Sequence, residues 1–283
     1  MKKKILIPTD FSKNAWNAIE YAAELYKREE CDFYLLHAFT VDYIAADDSM
    51  LKQPGQRHYD LAFSKAEKEM AKTLQRLSIR NVYQDHTYFT IIDYNLPLKA
   101  ITQAVEIKDI ELIVMGMKGE TDAKSILYGS NTLDVMEDVR NCPVLVIPCN
   151  KTYVEPKEIV FATSYKTHFK KREINHLFEV AKITNAKVSV LHINKAKHLS
   201  KKQLNNKKLL EEYLDGIDYS FHWLDNVEVN EGMRNFIESK QSDMAVFINK
   251  KHSLLEKIFT RPMVREVWGN SRVPVLVLHD LRN

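Results

Sequence analysis

The 283-residue chain contains itself twice, and no other feature limits its possible folds as sharply. Ile5-Leu6-Ile7-Pro8 has a counterpart in Ile159-Val160-Phe161-Ala162, and Tyr34 to Phe39 has one in Val188 to Ile193, histidine included. Cys142-Pro143-Val144-Leu145-Val146-Ile147 returns as Val273-Pro274-Val275-Leu276-Val277-Leu278. A period of roughly 140 residues is far longer than a solenoid unit and reads as a duplicated domain. The length agrees with two domains of average size. The boundary is expected in Cys149–Glu155, where a strand ends and a polar stretch follows, giving domains 1–149 and 154–281.

Within the first copy, apolar runs alternate with helical periodicity. The opening run ends in Thr9-Asp10-Phe11-Ser12, after which Ala15, Ile19, Ala22, Ala23 and Tyr26 recur at helical spacing. A strand follows at 33–38, then a long amphipathic helix over 57–78 with Leu61, Ala62, Ala66, Met70, Leu74 and Leu77 on one stripe. Strand 86–92, helix 97–107, buried strand 111–115, a helix near 130–139 and strand 144–147 complete it. Strands alternating with helices predict an α/β fold, a parallel sheet with helices on its faces.

The bulk numbers exclude several classes. With 45% hydrophobic and 28% charged residues the chain is core-forming rather than disordered. A net charge of +3, and aromatics that do not interleave with a basic stripe, argue against a nucleic-acid binder. The charge is uneven: residues 1–150 carry 18 Lys/Arg against 22 Asp/Glu, and residues 151–283 carry 23 against 16. The basic excess collects at Lys195, Lys197, Lys201, Lys202, Lys207 and Lys208, a solvated face or a docking surface for an acidic partner. The three cysteines, Cys31, Cys142 and Cys149, have neither CxxC nor zinc spacing, which suits reduced thiols. Behind Lys2-Lys3-Lys4 the apolar run is too short for a signal peptide, and no window has the apolar length of a membrane span. A cytoplasmic protein without a membrane partner is expected.

Glycine is scarce, with seven residues in the chain, and three of them fall at one strand-to-helix connection. The strand Leu112-Ile113-Val114-Met115 runs into Gly116-Met117-Lys118-Gly119, and Gly129-Ser130 then open a helix. Glycines allow close backbone approach to an anion, and Ser130-Asn131-Thr132 would offer free N–H groups at the positive end of a helix dipole. Lys118 and Lys124 could add charge. The pattern is neither a Walker A loop nor GxGxxG. Equally, the glycines could serve a tight turn and Ser130 an N-cap. On spacing alone the two readings stand level.

Taken with its neighbours, this segment resembles the nucleotide-binding pattern of the universal stress protein family. The resemblance rests on Gly116-x2-Gly119-x9-Gly129-Ser130 between a buried strand and a helix, and on the Cys-Pro-Val strand after it. The opening Ile-Leu-Ile-Pro-Thr-Asp-Phe-Ser and the strand end Leu36-His37-Ala38 add to it. It covers 1–148 well and 157–279 more weakly, so the whole chain resembles a tandem member. Such a resemblance implies two Rossmann-like (adenine nucleotide α-hydrolase-like) domains with five-stranded parallel sheets of order 3-2-1-4-5. In this family the fifth strand commonly pairs across a dimer interface, so the two copies are expected to pair within the chain as a pseudo-dimer. A further homodimer is left open.

The resemblance also implies an ATP site in the first domain, with Mg as an accompanying ion. By the family pattern Asp10 lies near the ribose and Ala38 offers a backbone group to adenine. Gly116, Gly119, Gly129, Ser130 and Asn131 line the phosphates, and Thr9, Met115 and Lys118 complete the expected set. Asn95-Leu96-Pro97, Lys118 and Asn131 depart from the commonest family choices. In the second copy the pattern is lost. Thr260 and Arg261 fall at the positions of Gly129 and Ser130, Asn249 and His252 near those of Gly116 and Gly119, and Ser164 replaces Asp10.

No HExxH, metal cluster or GxSxG elbow occurs, and His37 and His192 recur at matching strand ends, which favours a structural role. The leading expectation is an ATP-binding stress-response protein with one nucleotide site and an unidentified protein partner. The runner-up is a nucleotide-independent interaction or scaffolding module. A slow ATPase ranks last, because no general base or arginine finger can be assigned.

Overall fold

The computed structural model describes residues 2–41, 56–80, 85–119, 129–149, 151–166, 168–194, 198–225, 227–249 and 273–279. The first copy runs β1 (Lys3–Pro8), α1 (Lys13–Leu25), β2 (Cys31–Phe39), α2 (Gln56–Arg80), β3 (Thr87–Tyr94), α3 (Pro97–Lys108), β4 (Leu112–Gly116), α4 (Ser130–Asp138) and β5 (Val144–Ile147). The second runs β6 (Glu158–Ala162), α5 (Lys171–Thr184), β7 (Lys187–Asn194), α6 (Lys201–Leu214), β8 (Tyr219–Asp225), α7 (Val229–Lys240), β9 (Met244–Asn249) and β10 (Val275–His279).

All ten strands form one sheet of order β3-β2-β1-β4-β5-β10-β9-β6-β7-β8. Each half has the expected order 3-2-1-4-5 and is parallel throughout. The halves meet at β5 and β10, which pair antiparallel with Leu145 opposite Leu276 and Val144 and Val146 opposite Val277 and Val275. This is the intramolecular pairing expected of a pseudo-dimer.

Alternation along the strands divides the core into two layers, each running through both halves. One holds Ile5, Ile7, Phe33, Leu145 and Leu276 under α1, α2, α5 and α6; the other holds Leu6, Ile113, Val144, Val146, Val275 and Val277 under α3, α4 and α7. Strands covered on both faces read as unbroken apolar runs, which is why they were visible in the sequence. Small residues do the same for α1, where Ala15, Ala18, Ala22 and Ala23 let the helix lie close on the sheet. Ser12 caps it, its Oγ accepting from Ala15 N at 3.1 Å. Lys3 Nζ in β1 reaches across to Glu179 Oε2 in α5 at 2.7 Å.

Two expectations need correction. Of the stripe on α2, Ala66 and Met70 are buried but Leu61 is 63% exposed, because it stands nine residues from Met70 and so on the opposite face of the helix. Strand register also shifts two equivalences by one residue. Ile5 and Ile159 pair with Phe33 and Val188, so Val188 matches Phe33 rather than Tyr34. They pair likewise with Leu112 and Met244, so Ile248 rather than Asn249 occupies the place of Gly116.

Candidate functional site

β1 is flanked by β2 on one side and β4 on the other, so the chain leaves it toward opposite faces of the sheet. Ligands of such sheets sit outside the carboxyl ends of the strands at this point. A cleft lies there, with about 620 Å³ of empty space including its open mouth. Its floor is the end of β1 and β4, with Pro8, Thr9, Asp10, Met115 and Gly116. Leu36 and Ala38 of β2 and Pro97 and Ile101 of α3 make an apolar wall. Lys118, Gly119, Gly129, Asn131 and Thr132 make a polar one.

Thus Thr9, Asp10, Ala38, Met115, Gly116, Lys118, Gly119, Gly129 and Asn131 are brought together, although they come from separate stretches of sequence. Ser130 does not line the cleft; it is exposed at the first position of α4. Sequence reading missed Pro8, Ala15, Leu36, Pro97 and Ile101, and took Thr132 only as a helix-start amide. Pro97 carried a signal, since proline before a periodic run starts a helix. The apolar members carried none, being indistinguishable from core.

The β1–α1 turn is held by its own side chains. Thr9 Oγ1 accepts from Phe11 N at 3.0 Å and Asp10 Oδ1 from Ser12 N at 3.1 Å, while Phe11 takes a left-handed φ of 64°. His37 Nδ1 donates to Thr9 O at 2.8 Å, fixing the strand end from the neighbouring strand. The second half copies this device: Thr163 Oγ1 accepts from Tyr165 N, Tyr165 has φ 55°, and His192 Nδ1 donates to Thr163 O at 2.7 Å. The recurrent histidines therefore brace loops.

The glycines have separate causes. A Cβ on Gly116 would stand 3.1 Å from Asn14 O and 3.2 Å from Asn14 C, so this glycine lets β4 pass beneath the start of α1. Asn14 Nδ2 in turn donates to Lys118 O at 3.2 Å. Gly129 is the N-cap of α4 with φ −64° and ψ 150°, a conformation open to any residue. Among the described residues no side chain caps α4, which leaves its first-turn amides available beside the cleft. Gly129 N donates to Met117 O and Thr132 Oγ1 to Gly116 O, both at 3.0 Å, which pins this helix end to β4. Lys124 lies outside the described residues.

At the matching place in the second half Ile248 is 7% exposed, and a buried branched side chain replaces the close backbone approach. His252, Thr260 and Arg261 lie outside the described residues. From above, α6 clasps the β6–α5 loop, with Gln203 Nε2 donating to Ser164 O and Asn206 Nδ2 to Tyr165 O. Of the basic residues, Lys207 packs over the Phe221 ring and pairs with Glu211, while Lys195 and Lys197 lie outside the described residues. Among the described residues, no group of three or more His, Cys, Asp or Glu side chains could hold a metal ion, and no helix is long and apolar enough to cross a membrane. Cys31 and Cys142 are buried free thiols, and burial raises both, Cys31 to about 12.

Known proteins share this architecture. Two universal stress proteins of Methanocaldococcus jannaschii are 29% and 27% identical to the chain over 155 and 145 residues, spanning 52% and 51% of it and 95% and 81% of their own lengths. The solved structure of a universal stress protein from Archaeoglobus fulgidus follows 98% of this chain and 96% of its own with a TM-score of 0.71; at 18% identity that is a likeness of fold. The model of the universal stress protein family matches residues 1–148, more than half of the chain. The chain belongs to the universal stress protein family.

Proposed function

We propose that the cleft of the first copy binds ATP, and that the protein is a cytoplasmic stress-response regulator built from domains 1–149 and 154–281. The observation that carries this reading is the cleft at the β1/β4 crossing, apolar on one wall and faced on the other by the uncapped start of α4. A planar base suits the wall of Leu36, Ala38, Pro97 and Ile101. The amides of Ser130, Asn131 and Thr132 would donate to phosphate oxygens, with Lys118 adding positive charge. Asp10 would accept from ribose hydroxyls. Mg²⁺, when present, would neutralise phosphate charge and be held chiefly by the nucleotide itself. The second copy is assigned a structural part, and a protein partner would read the surface around the filled cleft.

The alternative, a nucleotide-independent interaction module, draws on Gly116, whose small size is already favoured by the close backbone of Asn14. One experiment separates the two. Thermal unfolding of the wild type should shift upward with millimolar ATP and Mg²⁺, by about 2.7 kcal/mol at a hundredfold excess over Kd. Gly129→Val should unfold normally without ligand and lose the shift. Absence of any shift in the wild type would sink the nucleotide reading; a shift that survives the substitution would move the site elsewhere. Phosphate release from purified protein, lost in the same variant, would mark slow hydrolysis.

A further inference from the structure

The helix on the polar side of the cleft is not finished by its own half of the chain. α4 ends at Asp138, and a helix leaves its last four carbonyls without intrahelical donors. One of them is met by the second half: Asn249 Nδ2, at the end of β9, donates to Met136 O at 3.0 Å. Another is met by Arg140, whose Nη1 donates to Glu137 O at 3.3 Å. The same guanidinium closes the triangle, its Nη2 donating to Asn249 O at 2.7 Å. A cation just past a helix C-terminus also complements the dipole.

The opposite end of α4 is fastened to the first half through Gly129 N on Met117 O and Thr132 Oγ1 on Gly116 O. With 9 residues the helix is about 13 Å long. It is a short rod with one end at the cleft and the other gripped by the second copy. Register adds a point. With Ile248 in the place of Gly116, Asn249 falls at that of Met117, so the strand end that lost the glycine pattern supplies the grip on α4.

We propose that the second half is a positioning element for the first-half cleft: Asn249, together with Arg140, sets the axial position of α4 and so the aim of its first-turn amides. Asn249 and Arg140 act through the helix and lie at its far end from the cleft. The inference rests on the cleft being a nucleotide site, and its test is built to tell the two apart.

Full-length wild type, Asn249→Ala and Asn249→Asp are titrated calorimetrically with ATP plus Mg²⁺ and, separately, with adenosine. Hydrogen exchange is followed at residues 133–139 without ligand. Loss of one hydrogen bond should weaken ATP binding about five-fold in Asn249→Ala, and further in Asn249→Asp, which turns a carboxylate on Met136 O. Adenosine affinity should change less than about two-fold, because the base wall is untouched and only phosphates meet α4. The hydrogen-bonded amides of α4 should exchange faster in both variants. Unchanged ATP affinity with unchanged exchange overturns the proposal, as does an equal loss for ATP and adenosine, which would mark general loosening. If the wild type binds neither compound, the nucleotide reading fails, and the exchange rates alone decide whether Asn249 holds the helix.

Discussion

At the scale of single residues, His176 couples the junction of the two halves to pH. Burial, reinforced by the nearby Lys3 ammonium, pushes its imidazole down to about 4. Glu179, 3.8 Å away, is engaged by Lys3 at 2.7 Å and does not offset this. The unfolded chain regains an ordinary value near 6.5, so between the two values it binds a proton that the native state refuses. Stability from this residue is therefore full above about pH 6.5 and drains away as pH falls toward 4, by about 2 kcal/mol after allowing for partial exposure. Urea unfolding at pH 7 and pH 4.5 checks this: His176→Gln should narrow the difference between the two midpoints, and an unaltered difference would remove His176 from the account. Gly116 and Gly129 both line the cleft, but for different local reasons: the first is crowded by the backbone of Asn14, and the second has dihedrals open to any residue. Spacing shows that glycines cluster; it cannot show what presses on each. Nor could it reveal that the Thr132 hydroxyl ties α4 to Gly116 O, since the sequence offers Thr132 only as a helix-start amide.

At the scale of elements, the strands and helices of the first copy could be read in advance, as could β6, β7 and β10 of the second, because buried strands are continuous apolar runs and the helices of the first copy keep a clear period. What a loosely drawn stripe does not carry is the exact angle of each residue round the helix. Met70 is 3% exposed and Leu61 63%, because nine residues of an α-helix put the two on opposite faces, while Leu74 and Leu77 farther along α2 pack on the core. Met70→Ala should thus cost about 2–5 kcal/mol through lost burial and a residual cavity, whereas Leu61→Ala should stay within about 0.5 kcal/mol. Denaturant midpoints of the two variants give the comparison directly. Comparable losses would mean that the first turns of α2 carry packing that the exposure of Leu61 does not express. The register of β9 against its neighbours is the other element-scale gap. Sequence comparison puts the equivalent of Gly116 near Asn249, and the ladder of paired residues places it at Ile248.

At the scale of the whole molecule, the duplication solves an edge problem. β5 is four residues long, and Val144, Leu145, Val146 and Ile147 are each at most 1% exposed because β10 lies against them. An apolar strand edge left bare is a template for pairing with another chain. The pairing seen here is antiparallel and centred on Leu145 opposite Leu276, flanked by valines on both strands. The same pattern is satisfied if β5 pairs with a second β5: Leu145 would face Leu145, and Val144 would face Val146, a self-complementary two-fold contact. A fragment comprising residues 1–150 is therefore expected to dimerise through β5, forming between chains the seam that the full protein forms within one. Light scattering on a sizing column at tens of micromolar should give about twice the fragment mass. Val146→Asp should reduce it to one, since a charge would then be buried at the seam. A folded wild-type fragment that stays monomeric at that concentration would show that the second copy contributes contacts which β5 alone cannot replace, with Lys3 to Glu179 and Asn249 to Met136 the first to examine.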